Sequence, residues 1–377
     1  MGPLTGIKVV EIASIGPGPF AGMMLADLGA EIIRLERSGG GSGLGTGAWN
    51  VTNRGRPSVC VDLKHPEAIE LVLRLIGDAD ALIEGFRPGV MEKLGLGPEE
   101  ALAANPRLVY GRMTGYGQDG PMSSVAGHDI NYISLAGALG AIARKGERPL
   151  FPANFLGDYG GGGMMLAFGI VCALLEARTS GHGQVVDAAM VEGAAVLSTI
   201  VHALRSAGVW QDEAGTNLLD SGAHFYEVYE ASDGGHIAVG AIEPQFYAEL
   251  LRILELPADE LPQFDRDRWP EFKERFAAAF ATRTRDEWAA VFEPAEACTT
   301  AIYKPSEAPA HPHNVARGVF VEVEGIVQPA PAPRFSRTPG KIRMGARDAG
   351  ADTDTALAAW GVAETEIASL RESGAIA

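Results

Sequence analysis

Short apolar runs alternate with helical patterns through the first half of the chain, and this alternation restricts the fold more than any other feature. Residues 7–12 (Ile-Lys-Val-Val-Glu-Ile) read as a strand, 19–28 as a helix and 31–35 as a strand. A strand at 58–62, a helix at 66–76 and strands at 81–84 and 108–112 continue the pattern. Strands separated by helices cannot pair as hairpins, so they predict a parallel sheet with helices on its faces. Two long helices are expected next, around 164–178 and 187–207.

The pattern then changes. Residues 225–230 and 236–240 are strand-like and flank Asp233-Gly-Gly, a strong hairpin signal. Amphipathic helices are expected at 245–254, 269–282 and 285–292. This smaller α+β unit ends near Ala308, and the proline-marked stretch 309–333 is expected to return in extended form. There are no internal repeats.

A chain of 377 residues with 46% hydrophobic and 21% charged residues buries a large core, and its length predicts two domains. Cys60, Cys172 and Cys298 form neither a disulfide framework nor a metal-ligand cluster, which points to a reducing, cytoplasmic setting. No Lys/Arg-led signal peptide opens the chain. The apolar run 164–175 is too short to span a bilayer, so no membrane partner is expected. A net charge of −17 argues against nucleic acid. Yet from Arg34 to Lys93 eight basic residues match eight acidic ones. Arg74 sits mid-helix and reads as surface, whereas Arg37, Arg54, Lys64 and Arg87 follow expected strands or occupy turns. That placement suits an anionic ligand.

After the first strand, Gly16-Pro-Gly18-Pro-Phe-Ala21-Gly22 matches Gly-x-Gly-x-x-Ala, with Glu36 about twenty positions on, like a dinucleotide fingerprint. Pro17 and Pro19 each remove an N–H that a pyrophosphate would need. A Rossmann-like βαβ unit is expected here without a nicotinamide cofactor, with Pro19 opening the helix.

Two glycine-marked turns, Ala126-Gly-His-Asp-Ile-Asn-Tyr132 and Asn154-Phe-Leu-Gly-Asp158-Tyr-Gly-Gly-Gly-Gly163, place His128 and Asp158 where apolar helices begin. Helix starts offer unpaired N–H groups and a positive dipole end. Two acid/base groups beside such donors suit removal of a weakly acidic α-proton from a thioester, the donors holding the enolate oxygen. Each residue also has a structural reading: Asp158 as an N-cap, His128 as a hydrogen-bonded packing residue.

The chain resembles the α-methylacyl-CoA racemases of the family III CoA-transferase superfamily, nearly end to end. The resemblance runs through Gly16-Pro-Gly-Pro19, Met24-Leu-Ala-Asp-Leu-Gly-Ala30, Val61-Asp-Leu-Lys64, Ile83-Glu-Gly-Phe-Arg-Pro-Gly89 and Lys93-Leu-Gly-Leu-Gly97. It continues through Arg112-Met-Thr-Gly-Tyr-Gly-Gln118, Gly127-His-Asp-Ile-Asn-Tyr132, Asn154-Phe-Leu-Gly-Asp158 and Gly181-His-Gly-Gln-Val-Val-Asp-Ala188. Ala241-Ile-Glu-Pro-Gln-Phe-Tyr247 and Ala332-Pro-Arg-Phe-Ser336 complete it.

The resemblance implies an α/β family III CoA-transferase fold in an intertwined homodimer whose active site is shared between chains. Its large Rossmann-like domain would comprise 1–188 and 333–377, with linker helices at 189–223, a small α+β domain at 224–308 and a return linker at 309–332. It implies His128 and Asp158 as the two proton carriers, Asn154 beside Asp158, and the Asp129 N–H as donor to the thioester oxygen. Glu243 from the partner chain would orient His128, although Glu243 also suits capping of the helix that Pro244 opens. CoA, as part of an acyl-CoA substrate rather than a cofactor, would meet Arg37, Arg54, Val61, Leu63, Lys64, Gly85, Phe86, Arg87, Lys93, Gly127 and Tyr132. No cofactor or metal is implied. A transferase using Asp158 as nucleophile is the rival reading; it has no role for His128. An acyl-CoA binding protein without turnover is a third. The acyl chain stays open, with Met164, Met165 and Met190 as candidates for an adaptable apolar surface or for core packing.

Overall fold

The computed structural model describes residues 2–39, 47 and 49–377. The chain folds into two compact units, the first comprising Met1–Ala136, Pro152–Leu197 and Pro312–Ala377, the second Gly137–Phe151 and Ser198–His311.

The first unit runs β1 (Lys8–Ile12), α1 (Pro17–Asp27), β2 (Glu31–Glu36), β3 (Ser58–Cys60), α2 (Pro66–Gly77), β4 (Ala81–Glu84), α3 (Val90–Lys93) and α4 (Pro98–Ala104). It continues with β5 (Val109–Thr114), α5 (Asp129–Leu135), a wide π-helical segment (Phe155–Met164), α6 (Met165–Ser180), β6 (Gln184–Ala189) and α7 (Met190–Leu197). The six strands are all parallel, in the order β3-β2-β1-β4-β5-β6. This is the doubly wound Rossmann order, in which the chain reverses direction across the sheet between β1 and β4. Burial on both faces explains why the strands are mostly apolar and do not alternate with polar residues. Val10, Ile12, Ile33 and Leu35 point into one core with Leu71, Leu75 and Tyr110, while Val9, Ile32 and Ile83 point into another with Leu25, Leu166 and Ile170.

The second unit contains α8 (Thr199–Ser206), β7 (Tyr226–Glu230), β8 (His236–Gly240), α9 (Pro244–Ile253), α10 (Trp269–Phe280), α11 (Arg285–Phe292) and β9 (Thr299–Ala301). The expected hairpin forms with Glu230 opposite His236, and β9 adds a third antiparallel strand. Its core is aromatic, with Phe225, Phe272, Phe276, Phe280, Trp288 and Phe292. The chain then returns through α12 (Pro312–Arg317), β10 (Phe320–Val323), β11 (Ile326–Pro329), α13 (Thr353–Ala359) and α14 (Glu364–Ser373).

Four expectations change. Residues 184–189 form β6, a sheet edge strand, rather than opening a helix at 187, and the helix expected over 187–207 is two, α7 and α8. The division between units also falls elsewhere: 137–151 joins the second unit and 312–332 the first. The return segment is not extended, because Glu324 and Gly325, both at positive φ, turn Phe-Val-Glu-Val back onto Ile-Val-Gln-Pro as the hairpin β10–β11. Finally, helical winding begins at Phe155 rather than Met164, so Phe155–Ser180 is long and apolar enough to cross a bilayer. Half of that stretch is buried, and Leu166, Ala167, Ile170 and Leu174 fill the core beneath the sheet.

Candidate active site

In a parallel doubly wound sheet, ligands bind beyond the carboxyl ends of the strands, at the reversal between neighbours. Here that point is the gap between β1 and β4. Arg37 follows β2, Lys64 follows β3, and Arg87 lies three residues beyond β4; all three are exposed, as is Lys93 on α3. Gly85 is required at this edge, because a Cβ there would lie 2.9 Å from the Cβ of Ser14, beyond β1. Leu63 and Phe86 are half-buried against the core on the face of the sheet that holds Val10 and Leu71. The Val61 side chain is buried, its N–H donates to the Glu36 carbonyl at 2.8 Å and its backbone pairs with Ile376.

Arg54 departs from expectation. It precedes β3 and so lies at the opposite edge, where strands begin. Its guanidinium is buried against Asp27 at the end of α1 (Nη2 to Oδ2 2.6 Å). It also donates to Gln328 Oε1 and the Pro329 carbonyl at 2.8 Å each. Tyr132 departs too. Its ring is buried edge-on to Tyr116, centroids 4.9 Å apart, in space that a Cβ on Gly115 or Gly127 would fill. Its hydroxyl donates to the Gly127 carbonyl. Tyr132 and Gly127 thus shape the turn before His128 from within. Burial pushes the Tyr132 phenol up to about 12; the nearby Asp158 charge adds to this and the Arg87 charge opposes it. Both charges therefore act on this phenol.

His128 is the N-cap of α5, in extended conformation, and its N–H donates to Asn131 Oδ1 at 3.0 Å. The residue is exposed at the helix start, where the first N–H groups have no acceptor within the helix. Asp129 is buried, and its Oδ2 accepts the N–H groups of Gly157 (2.6 Å) and Asp158 (2.7 Å). The carboxylate thus caps the π-helical segment and fastens it to α5. The capping role considered for Asp158 belongs to Asp129. Among the described residues Asp129 Oδ1 has no partner.

Asp158 is half-buried and accepts from Asn154 Nδ2 at 3.1 Å. Burial holds its carboxyl above the usual carboxylate range; the Asn154 bond opposes this, the Asp129 charge adds to it, and the His128 charge opposes it. His128 therefore lies within electrostatic reach of Asp158. The glycines that follow make close packing, not slack. A Cβ on Gly161 would lie 2.7 Å from the Ala194 nitrogen, on Gly162 2.8 Å from Pro17, and on Gly163 2.7 Å from Phe20. The segment is clamped between α7 and α1. Gly16, at φ 72, completes the wall: a Cβ there would lie 3.0 Å from Asp158 Oδ2. The Gly-Pro-Gly-Pro turn thus lets backbone approach a carboxyl rather than a pyrophosphate.

Glu243 lies in the second unit, exposed, as the residue before Pro244 at the start of α9. Its side chain makes no capping bond to that helix. Among the described residues no three His, Cys, Asp or Glu side chains group as a metal would need.

Residues 4–353 match the model of CoA-transferase family III. The chain belongs to that family. Family membership accords with two relatives of nearly equal length. The chain is 47% identical to the alpha-methylacyl-CoA racemase of Mus musculus over 371 residues, covering 97% of this chain and 96% of the mouse protein. It is 45% identical to the alpha-methylacyl-CoA racemase of Homo sapiens over 370 residues, covering 97% and 95%. Among solved family III folds, a CAIB/BAIF family protein from Brucella suis superposes with a TM-score of 0.83 at 26% identity, covering 95% of this chain and 99% of that one.

Two residues to which the sequence reading gave no role of their own, Glu84 and Arg112, form a buried ion pair behind the Gly85–Arg87 turn (Nε to Oε1 2.9 Å). Both stood within recognised motifs, but a charged residue on a strand carries no local signal of its partner on the neighbouring strand.

Proposed function

We propose that this family III protein is a racemase of 2-methylacyl-CoA thioesters, interconverting the (2R) and (2S) forms by proton transfer through an enolate. What carries the reading is the pairing of His128 and Asp158: a base at the start of α5 within electrostatic reach of a half-buried carboxyl. One takes the α-proton and the other returns a proton to the opposite face, while the Asp129 N–H stabilises the enolate oxygen. Burial keeps Asp158 partly protonated at higher pH than an ordinary aspartate, which suits a group that must both give and take a proton. Arg37, Lys64, Arg87 and Lys93 supply the cations for the CoA phosphates. CoA is carried on the substrate and no separate cofactor takes part.

The working form is a homodimer in which Glu243 of the partner subunit orients the His128 ring. Support comes from Met164, at the end of the π-helical segment, and Phe168, Val171 and Leu175 of α6, which place an exposed apolar stripe at helical spacing along one face. Incubating the protein with a (2R)-2-methylacyl-CoA in deuterium oxide tests the reaction. Inversion with α-deuteration, without any added carboxylic acid, is expected. CoA transfer to an added acid with no α-exchange would establish instead a transferase with Asp158 as nucleophile.

A further inference from the structure

Burying an arginine and a glutamate inside a sheet is expensive, and well-packed apolar residues commonly stabilise a core as well. Glu84 and Arg112 are nonetheless both buried, on the adjacent strands β4 and β5, at the carboxyl edge that carries the cations. Their bonds point outward from the core to that edge. Glu84 Oε2 accepts the N–H of Phe86 at 2.7 Å, so the carboxylate fixes the turn leading to Arg87. Arg112 donates through Nε to Glu84 Oε1 at 2.9 Å and through Nη1 and Nη2 to Glu92 at 2.8 and 3.3 Å. Glu92 belongs to α3, one residue before Lys93. Tyr110, under the Arg112 guanidinium at 5.7 Å, extends the connection by donating to the Leu96 carbonyl just beyond α3. On its other side the turn is wedged at Gly85 against Ser14. One guanidinium thus joins the two segments that bear Arg87 and Lys93.

We infer that Glu84 and Arg112 are positioning residues for CoA: without touching substrate, they hold the Gly85–Arg87 turn and α3 in the spacing at which Arg87 and Lys93 engage its phosphates together. The inference rests on the acyl-CoA reading above, and the two can fail separately. Calorimetric titration of the wild-type protein with free CoA comes first; absence of binding would remove the acyl-CoA reading itself. With binding established, Glu84→Gln, which keeps the shape and removes the charge, should weaken CoA about tenfold, the expected effect of disturbing one charge-assisted phosphate contact. KM for acyl-CoA should rise in parallel with kcat within about twofold, as for loss of uniform binding. Glu92→Gln lies at a half-exposed position and tests the same brace if the buried variant does not fold; a smaller loss of about threefold is expected. Unchanged CoA affinity in the folded variants, or a loss confined to kcat, would overturn the inference.

Discussion

The carboxylate of Asp129 receives the backbone N–H of Asp158 at 2.7 Å, so the residue after one proton carrier holds the other in place. His128 and Asp158 are thirty positions apart, yet this bond makes them parts of one rigid junction between α5 and the π-helical segment. The junction also has an electrical effect, because a second buried negative charge disfavours ionisation of Asp158.

Replacing Asp129 by Asn should therefore change the pH profile as well as stability. Asp158 acts as a base only when ionised, so the rate in the direction that uses it falls as pH drops through its raised pKa. Removing the Asp129 charge takes away one cause of that elevation, and the acid limb of kcat/KM should move to lower pH. Asp129→Ala also loses the cap, at about 1 kcal/mol in thermal unfolding. An acid limb unmoved in Asp129→Asn would show that the Asp129 charge does not act on catalysis.

His128→Ala and Asp158→Asn should each abolish inversion, with losses of about 10²–10⁴ for an acid/base group. Exchange of the α-hydrogen should survive in each variant for the one epimer that still faces an intact base. Proton NMR of each pure epimer in deuterium oxide measures this directly. Wild-type inversion by His128→Ala would rule out the two-base mechanism.

The parallel sheet and the hairpin around Asp233 were legible because burial on two faces and a glycine-marked turn both leave local patterns. Strand β6 was not, since Val185 and Val186 run straight into the helical spacing of Met190 to Leu197 and the edge position leaves Val185 exposed. The candidate site divides the same way. His128, Asp158 and Arg87 stand in distinctive turns. Arg54 was misplaced because its partner Asp27 lies on another element, and nothing local distinguishes an arginine before a strand from one after it. Only the main-chain N–H of Asp129 was anticipated, because its carboxylate accepts from a backbone N–H donor 28 residues away.

Arg87 and Arg54 should consequently behave as opposites. Arg87→Ala should weaken CoA by about ten- to a hundredfold, the value of one charge-assisted phosphate contact. Arg54→Ala leaves Asp27 buried without its partner, a change that costs about 3–5 kcal/mol of stability. Calorimetric affinity and thermal unfolding of the two variants separate these effects. Intact stability with lost CoA affinity in Arg54→Ala would return that residue to the ligand site.

The second unit should carry an acid sensitivity of its own, at His224. This ring is buried among Phe225, Tyr247, Phe272 and Phe276, at centroid distances of 5.0–5.4 Å. Tyr247 donates its hydroxyl proton to the Leu261 carbonyl at 2.9 Å, so it accepts from His224 Nε2 at 2.7 Å. That leaves Nδ1 unprotonated and, among the described residues, without a partner. Burial drives the imidazole pKa down to about 3, and the charge of Lys273 adds to the shift. The folded state thus favours the neutral ring, and its stabilising contribution is complete above the unfolded value of 6.5. As pH falls from 6.5 towards 3 the unfolded chain takes up a proton that the folded unit refuses, and stability is lost. By pH 4.5 the loss should reach about 2–3 kcal/mol. Hydrogen exchange of amides in α9 and α10 at pH 7.5 and 4.5 measures it, and His224→Phe should flatten the difference while costing stability at both values. Equal pH dependence in wild type and His224→Phe would assign the acid sensitivity to another group.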